Sequence, residues 1–419
     1  MKSKYSIILL LFIVTLTGLF SSCGKDRWEL YYPQTHQSLW IDSVMREHYL
    51  WRDELMDEDE LTSSYFLNSV SFLAKVRNAD DKVSYVDTAY SMPKTDPGFE
   101  LMINQVTDST YLALVTYIEP NSASAIAGIH RGDWIMAMDG KELTEERIEE
   151  LAEGETHTLA IGYHTTIIVQ NEYDEEEEQD AVAFSHEVTL PAATSYYPEV
   201  MPVVDVINDK VGYILYNDIA DDNRQKVATA SKLLANSGIT DMVLDLRFAS
   251  TGDLQGLQYL ASIMAPSSAL GTKMATLQYA DTLTSNKSLP FLSASELDNG
   301  ANLNLQTLYV LTSSYTAGPA EMLINCLKAV MNVVVIGQKT QGITLACESF
   351  YDPAKDQLLR LAVSELSDAN GNAAYAGSGF TPNYPVNPLS SVEGVQPFGS
   401  PLESLFAKAL AIINGEVEE

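Results

Sequence analysis

From about Val203 onward, short runs of continuous apolar residues alternate with segments whose apolar positions recur every three to four residues. That alternation limits what the chain can fold into more than any other feature. Residues 211–216, 241–246, 307–312 and 333–337 read as strands, and 224–236, 254–264 and 319–331 as helices. A strand that is apolar at every position is buried on both faces, which requires helices to cover it and favours parallel pairing. An α/β core is therefore expected, closed by a C-terminal helix over 402–413 with one apolar face.

Upstream the texture differs. Trp40, Ile41, Val44, Met45 and Tyr49 share one helical face, and a second amphipathic stretch covers 66–76, predicting a small helical domain. From 97 to 191 the chain is strand-like. A strand at 112–118 leads to a proline-started helix closed by Gly128, then to Gly132-Asp133 and a strand ending at Asp139-Gly140. Gly128 suits a left-handed helix end, and Asp139-Gly140 suits a tight hairpin. This order resembles the middle of a PDZ domain. The resemblance implies that a loop at Gly98, Phe99, Glu100 and Leu101 presents backbone amides to a peptide carboxylate, with the peptide adding to the sheet edge. Glu100 repels a carboxylate unless it points away, so ligand binding and a purely structural role both stay open.

The N-terminus has a charged start, an apolar run over 7–16 and Ser21-Ser22-Cys23. This reads as a secretory signal, and its end resembles a bacterial lipobox. The expectation is a mature protein lipidated on Cys23 and tethered at an envelope membrane, with Gly24 favouring the outer membrane. Cys326 and Cys347 then remain, read as buried free thiols with a disulfide left open. A net charge of −32, from 57 acidic and 25 basic residues, argues against a nucleic-acid partner. The acidic run from Asp174 to Glu178, with Asp180, is expected at a solvated loop tip. No cofactor or metal pattern is visible.

All six histidines lie at or before His186, so a Ser-His-Asp triad within the α/β core is excluded. Hydrolysis there requires a serine with a desolvated lysine. Thr316-Ala317-Gly318-Pro319-Ala320-Glu321 opens a helix: Gly318 sits at the N-cap, Pro319 at the first helical position and Glu321 in the first turn. After that helix and a buried strand come Gly337-Gln338-Lys339-Thr340-Gln341-Gly342-Ile343. These segments resemble the active-site region of the C-terminal processing (tail-specific) serine proteases. The resemblance puts the nucleophile at Gly318, the lysine base at Ile343 and a helper glutamate at Glu321. It also puts the oxyanion turn after Arg247, where the family's Asn-Gly-Gly-Gly is replaced by Phe248, Ala249, Ser250, Thr251 and Gly252. The landmark at 377–386 resembles the family too, with Asn383 where aspartate is usual. Glycine has no nucleophile and isoleucine has no exchangeable proton.

A displaced dyad of Ser314 and Lys339 has the expected spacing but moves both groups away from the helix amide donors. Cys347 as nucleophile lacks anything nearby to lower its pKa. The expected architecture is multidomain α+β: signal and lipobox (1–23), helical domain (24–94), PDZ-like β-rich domain (95–192), a ClpP/crotonase-like protease core (193–390) and a C-terminal helix (391–419). The expected activity is that of an inactive family member binding an extended peptide or protein terminus, with oligomeric state undetermined. An active endopeptidase with the displaced dyad and a structural envelope protein are the alternatives.

Overall fold

The computed structural model describes residues 28–88, 93–170, 176–279, 286–389 and 395–416. The signal segment, Cys23 and residues 174–175 lie outside them. The chain divides into two compact units, one ending at Asp80 and one beginning at Asp81. The first unit is helical, with α1 (Trp28–His48), α2 (Glu58–Leu61) and α3 (Ser69–Val76). Ile41, Met45 and Tyr49 are buried along α1, as their spacing implies, and Phe72 and Leu73 are buried along α3. Asn68 caps α3 by accepting the Ser71 N–H at 2.8 Å. No helix among the described residues is long and apolar enough to cross a membrane.

The second unit starts with β1 (Tyr85–Thr88), inside the stretch read from sequence as helical domain. Next comes a β-rich region: β2 (Phe99–Gln105), β3 (Tyr111–Ile118), α4 (Ala123–Ile126), β4 (Trp134–Met138), β5 (Lys141–Glu142), α5 (Glu145–Ala152), β6 (His157–Gln170) and β7 (Glu176–Leu190). Its strands run in the order β2-β3-β4-β6-β7, with β5 on β4. Asp139 (φ 52°) and Gly140 (φ 71°) make the tight turn between β4 and β5. Glu176, Glu177, Glu178 and Asp180 are solvent-exposed as expected, but they belong to β7 and not to a loop. They pair with the end of β6, from Gln170 to Thr166.

The remainder is the core. It comprises β8 (Val203–Ile207), β9 (Val211–Leu215), β10 (Asp218–Ile219), α6 (Arg224–Asn236), β11 (Asp241–Asp245), β12 (Thr251–Gly252), α7 (Leu254–Met264), β13 (Lys273–Tyr279) and β14 (Lys287–Pro290). Then follow β15 (Thr307–Thr312), α8 (Pro319–Lys328), β16 (Asn332–Gly337), β17 (Leu345–Asp352), β18 (Gln357–Asp368), β19 (Tyr384–Pro385) and α9 (Ser404–Ile413). One sheet has the order β19-β16-β15-β11-β9-β8 and is parallel except for β8. A second, antiparallel sheet has the order β1-β18-β13-β14, with β17 also on β18. Apolar side chains of α6, α7 and α8 join both sheets in one hydrophobic cluster, including Leu234, Leu260, Leu323, Val310, Leu277 and Leu366. On the other face of the parallel sheet, α9 buries Leu405, Phe406 and Ala409 against Tyr213, Val243 and Ile336.

A buried ionic cluster ties α9 to the core and to the β-rich region. The Glu403 carboxylate caps α9, accepting the Leu405 and Phe406 N–H groups at 3.1 and 3.0 Å. It also receives Arg247 through both Nη atoms, at 2.8 and 3.0 Å, while Arg131 approaches at 3.6 Å. Arg247 closes back on Asp245, whose carboxylate accepts from the Tyr213 hydroxyl. Burial and the neighbouring Arg247 bring the Arg131 guanidinium down to about 10. Burial alone would raise the Glu403 carboxyl, but the two arginines hold it below the usual glutamate range. A depressed carboxyl contributes stability above its unfolded value of about 4.3 and loses it as pH falls further. Thermal unfolding followed between about pH 6 and pH 3 should therefore steepen below about pH 4.3, and Glu403→Gln should flatten that slope.

Candidate active site

The site forms where β15 and β11 end side by side. Both strands end in turns that are sutured together. The Thr316 hydroxyl donates to the Leu246 carbonyl at 2.9 Å, Ser313 Oγ donates to the Arg247 carbonyl, and the Ala317 N–H donates to the Ala249 carbonyl at 3.0 Å. Gly318 follows at the N-cap of α8 with φ 53° and ψ −116°, a conformation that strains any residue with a side chain. Only one atom, the Ser250 carbonyl oxygen at 3.6 Å, lies within 4 Å of where a Cβ would sit. Space for a side chain is therefore present, and the strained backbone that would present one is present too.

Glu321, fully buried in the first turn of α8, accepts four hydrogen bonds. Its Oε2 takes the Gly318 N–H at 3.1 Å and the Ile343 N–H at 2.8 Å. Its Oε1 takes the Gly342 N–H at 2.6 Å and the Thr340 hydroxyl. One carboxylate oxygen thus holds the backbones of positions 318 and 343 beside each other. The Thr340 hydroxyl oxygen in turn accepts the Phe380 N–H at 2.7 Å, and the Gly342 carbonyl accepts the Gly377 N–H at 2.8 Å. The glycine-rich segment at 377–380 therefore braces the turn that carries Ile343. Thr340 was not singled out from the sequence; a lone threonine in a turn carries no signal of a buried carboxylate partner 19 residues away. Tyr375, buried near Glu321 and stacked on Phe380, has its hydroxyl pushed upward by burial and then by that carboxylate.

Ser314 and Lys339 are both exposed, and no hydrogen bond joins their side chains among the described residues. The Ser314 backbone is held by Gln338 and Gln341. The displaced dyad is therefore not assembled among the described residues. Cys326 and Cys347 are free and buried, and burial pushes both thiols upward, away from thiolate character. In the turn after β11, Ala249 is buried, Thr251 and Gly252 form β12 against β10, and Ser250 presents a carbonyl to position 318. A carbonyl accepts; stabilising an oxyanion requires donors.

Phe99, Glu100 and Leu101 are not loop residues. They open β2, paired with Ile118, Tyr117 and Val115, with a bulge after Glu100, while Gly98 lies just before the strand. Phe99 pairs with the last residue of β3, so of the four residues expected in the loop only Gly98 lies outside the ladder. β2 is the edge of its sheet. Glu100 and Leu101 also line a cavity of about 330 Å³ shared with Arg131, Phe248, Ser313 and Tyr315. The β2 edge and the two sutured turns thus meet in one cleft, an arrangement suited to an extended chain.

The profile of the peptidase family S41 matches residues 210–386, and that of the peptidase S41 N-terminal domain matches 37–87. The crystal structure of a Bacteroides fragilis protein assigned to the S41 proteases is 34% identical, with a TM-score of 0.77, over 90% of this chain and 98% of that one. A photosystem II D1 C-terminal processing protease is 15% identical over 86% of this chain and 96% of its own, with a TM-score of 0.41. Mature CPAF is 10% identical over 92% and 98%, with a TM-score of 0.42.

Proposed function

The chain belongs to the S41 peptidase family, and from that premise we propose that it is a catalytically inactive member that captures an extended peptide or protein terminus at the cell envelope. One observation carries the reading: Glu321 clamps positions 318 and 343 together, and neither residue has a reacting group. The β-rich sheet acts as the PDZ-type module. A peptide adds its main chain to the open edge of β2 and lays a side chain in the cleft beside Leu101, Phe248 and Tyr315. Retention replaces turnover, as in a scavenger or regulatory binder. Lipid on Cys23 supplies the membrane tether in this reading, on the outer membrane.

Fluorescence anisotropy with a library of unstructured peptides tests it. The expected result is binding at micromolar affinity with every peptide recovered intact by mass spectrometry. Tyr315 is 71% exposed, so Tyr315→Ala leaves the fold unchanged, and it should weaken binding about tenfold, the effect of losing one aromatic anchor. No binding by any peptide at that concentration counts against capture, and cleavage by the unmodified protein counts against inactivity.

A further inference from the structure

A cavity of about 770 Å³ is separate from the cleft just described and shares no residue with it. It lies in the second unit, between the segment leaving the β-rich region (Ser195 to Val200), β1, the start of α6 and β18. Its volume is in the range of small-molecule sites, and such sites favour junctions of this kind.

The wall is polar and preset. Arg360, 3% exposed, reaches Asp218 at 3.1 Å and Asp222 at 3.6 Å. Asp218 is further held by Thr251 and by the Asn223 amide, which also lines the cavity. Lys226 pairs with Glu199 at 2.6 Å across the rim. Arg360 Nε is buried with no acceptor among the described residues. Tyr197, 59% exposed, and Asn121 add an open aromatic ring and a free-standing amide.

From these groups the chemistry of an occupant follows. Asp87, Glu199, Asp218 and Asp222 outnumber Lys226 and Arg360, so phosphate and carboxylate ligands are repelled. The closest carboxylates are already matched to those two cations, which weakens the pull on an added cation. What remains is a mixed set of donors and acceptors around an aromatic ring. A hydroxyl is both donor and acceptor and can satisfy the Asp222 carboxylate, the Asn121 amide and the guanidinium alike. A ring with hydroxyls at its edge and C–H groups on its face can also stack on Tyr197. We propose that this cavity is a second ligand site, taking a neutral saccharide unit.

The test uses the full chain, titrated with glucose, N-acetylglucosamine, maltose, cellobiose and chitobiose by saturation-transfer NMR and calorimetry. Inorganic phosphate and spermidine serve as charged comparators. At least one saccharide should bind with submillimolar affinity, and Tyr197→Ala and Asp222→Asn should each weaken it at least tenfold, about 1.4 kcal/mol. Tyr197 is exposed, so its substitution should leave the unfolding midpoint in place; Asp222→Asn still leaves Asp218 on Arg360, and peptide binding at the β2 cleft should be unchanged by either variant. Three results overturn the proposal: no saccharide binding up to about 10 mM, binding of spermidine in place of saccharides, or saccharide binding that neither substitution weakens.

Discussion

Glu321→Ala is expected to destabilise the second unit by about 4 kcal/mol, because three buried donors and one half-buried donor lose their acceptor at once. A buried donor left alone costs about 1–3 kcal/mol, and the sum is reduced where water enters the vacated space. In a chain of this size about 2 °C of melting temperature is lost per kcal/mol, so the midpoint should fall by about 8 °C. Glu321→Gln should cost roughly half as much, since the amide keeps one accepting oxygen but turns an NH₂ toward N–H groups. Hydrogen exchange gives the local readout: the Gly318, Gly342 and Ile343 amides should exchange fastest relative to the unmodified protein, ahead of those in β11 or α7. A loss under about 1 kcal/mol would mean that the clamp is not what holds the two turns together.

That clamp also shows which parts of the site were legible beforehand. Gly318 and Ile343 could be placed because the turns around them have local signatures, glycine then proline at a helix start and a glycine-rich turn after a buried strand. Glu321 could be noticed as a first-turn acid. Its partners could not: three of the four are backbone N–H groups, of residues 318, 342 and 343, and backbone groups leave no mark in a sequence. The same holds for Glu403, whose meaning depends on Arg247, 156 residues away.

The parallel strands were readable because each has a continuous apolar run at its centre, and the bounds of α6 and α7 match the 224–236 and 254–264 expected from periodicity. The antiparallel sheet was not readable. β18 is almost wholly buried, yet it contains Arg360 and Ser364, polar residues that break an apolar run. Arg360 is tolerated there because Asp218 and Asp222 meet it from another part of the chain. β1 joins that sheet through four residues too short and too polar to stand out from the helical stretch before them.

Restoring the missing groups should create hydrolysis where there was none. The unmodified protein is expected to leave an unfolded protein substrate intact, and Gly318→Ser/Ile343→Lys to cleave it. Each single substitution should stay silent, since a serine without a base and a base without a serine are equally inert. Local geometry favours the pair. The serine Cβ would have only the Ser250 carbonyl oxygen within 4 Å, so the principal cost is backbone strain of about 1–3 kcal/mol at φ 53°. The lysine would start from a half-buried position whose backbone is bonded to the same Glu321 oxygen as position 318, and desolvation there lowers an ammonium pKa. The gain should nevertheless be small. The carbonyl of Ser250, an acceptor, lies beside position 318, and loss of one oxyanion donor slows acyl transfer by roughly 10²–10³. Adding Phe248→Asn, Ala249→Gly and Ser250→Gly lets that turn rotate its amides inward, and the rate should rise again by a comparable factor. If instead the unmodified protein cleaves at the rate of the double variant and Ser314→Ala abolishes it, the nucleophile is Ser314, and the vacant frame at 318 and 343 is not the catalytic site.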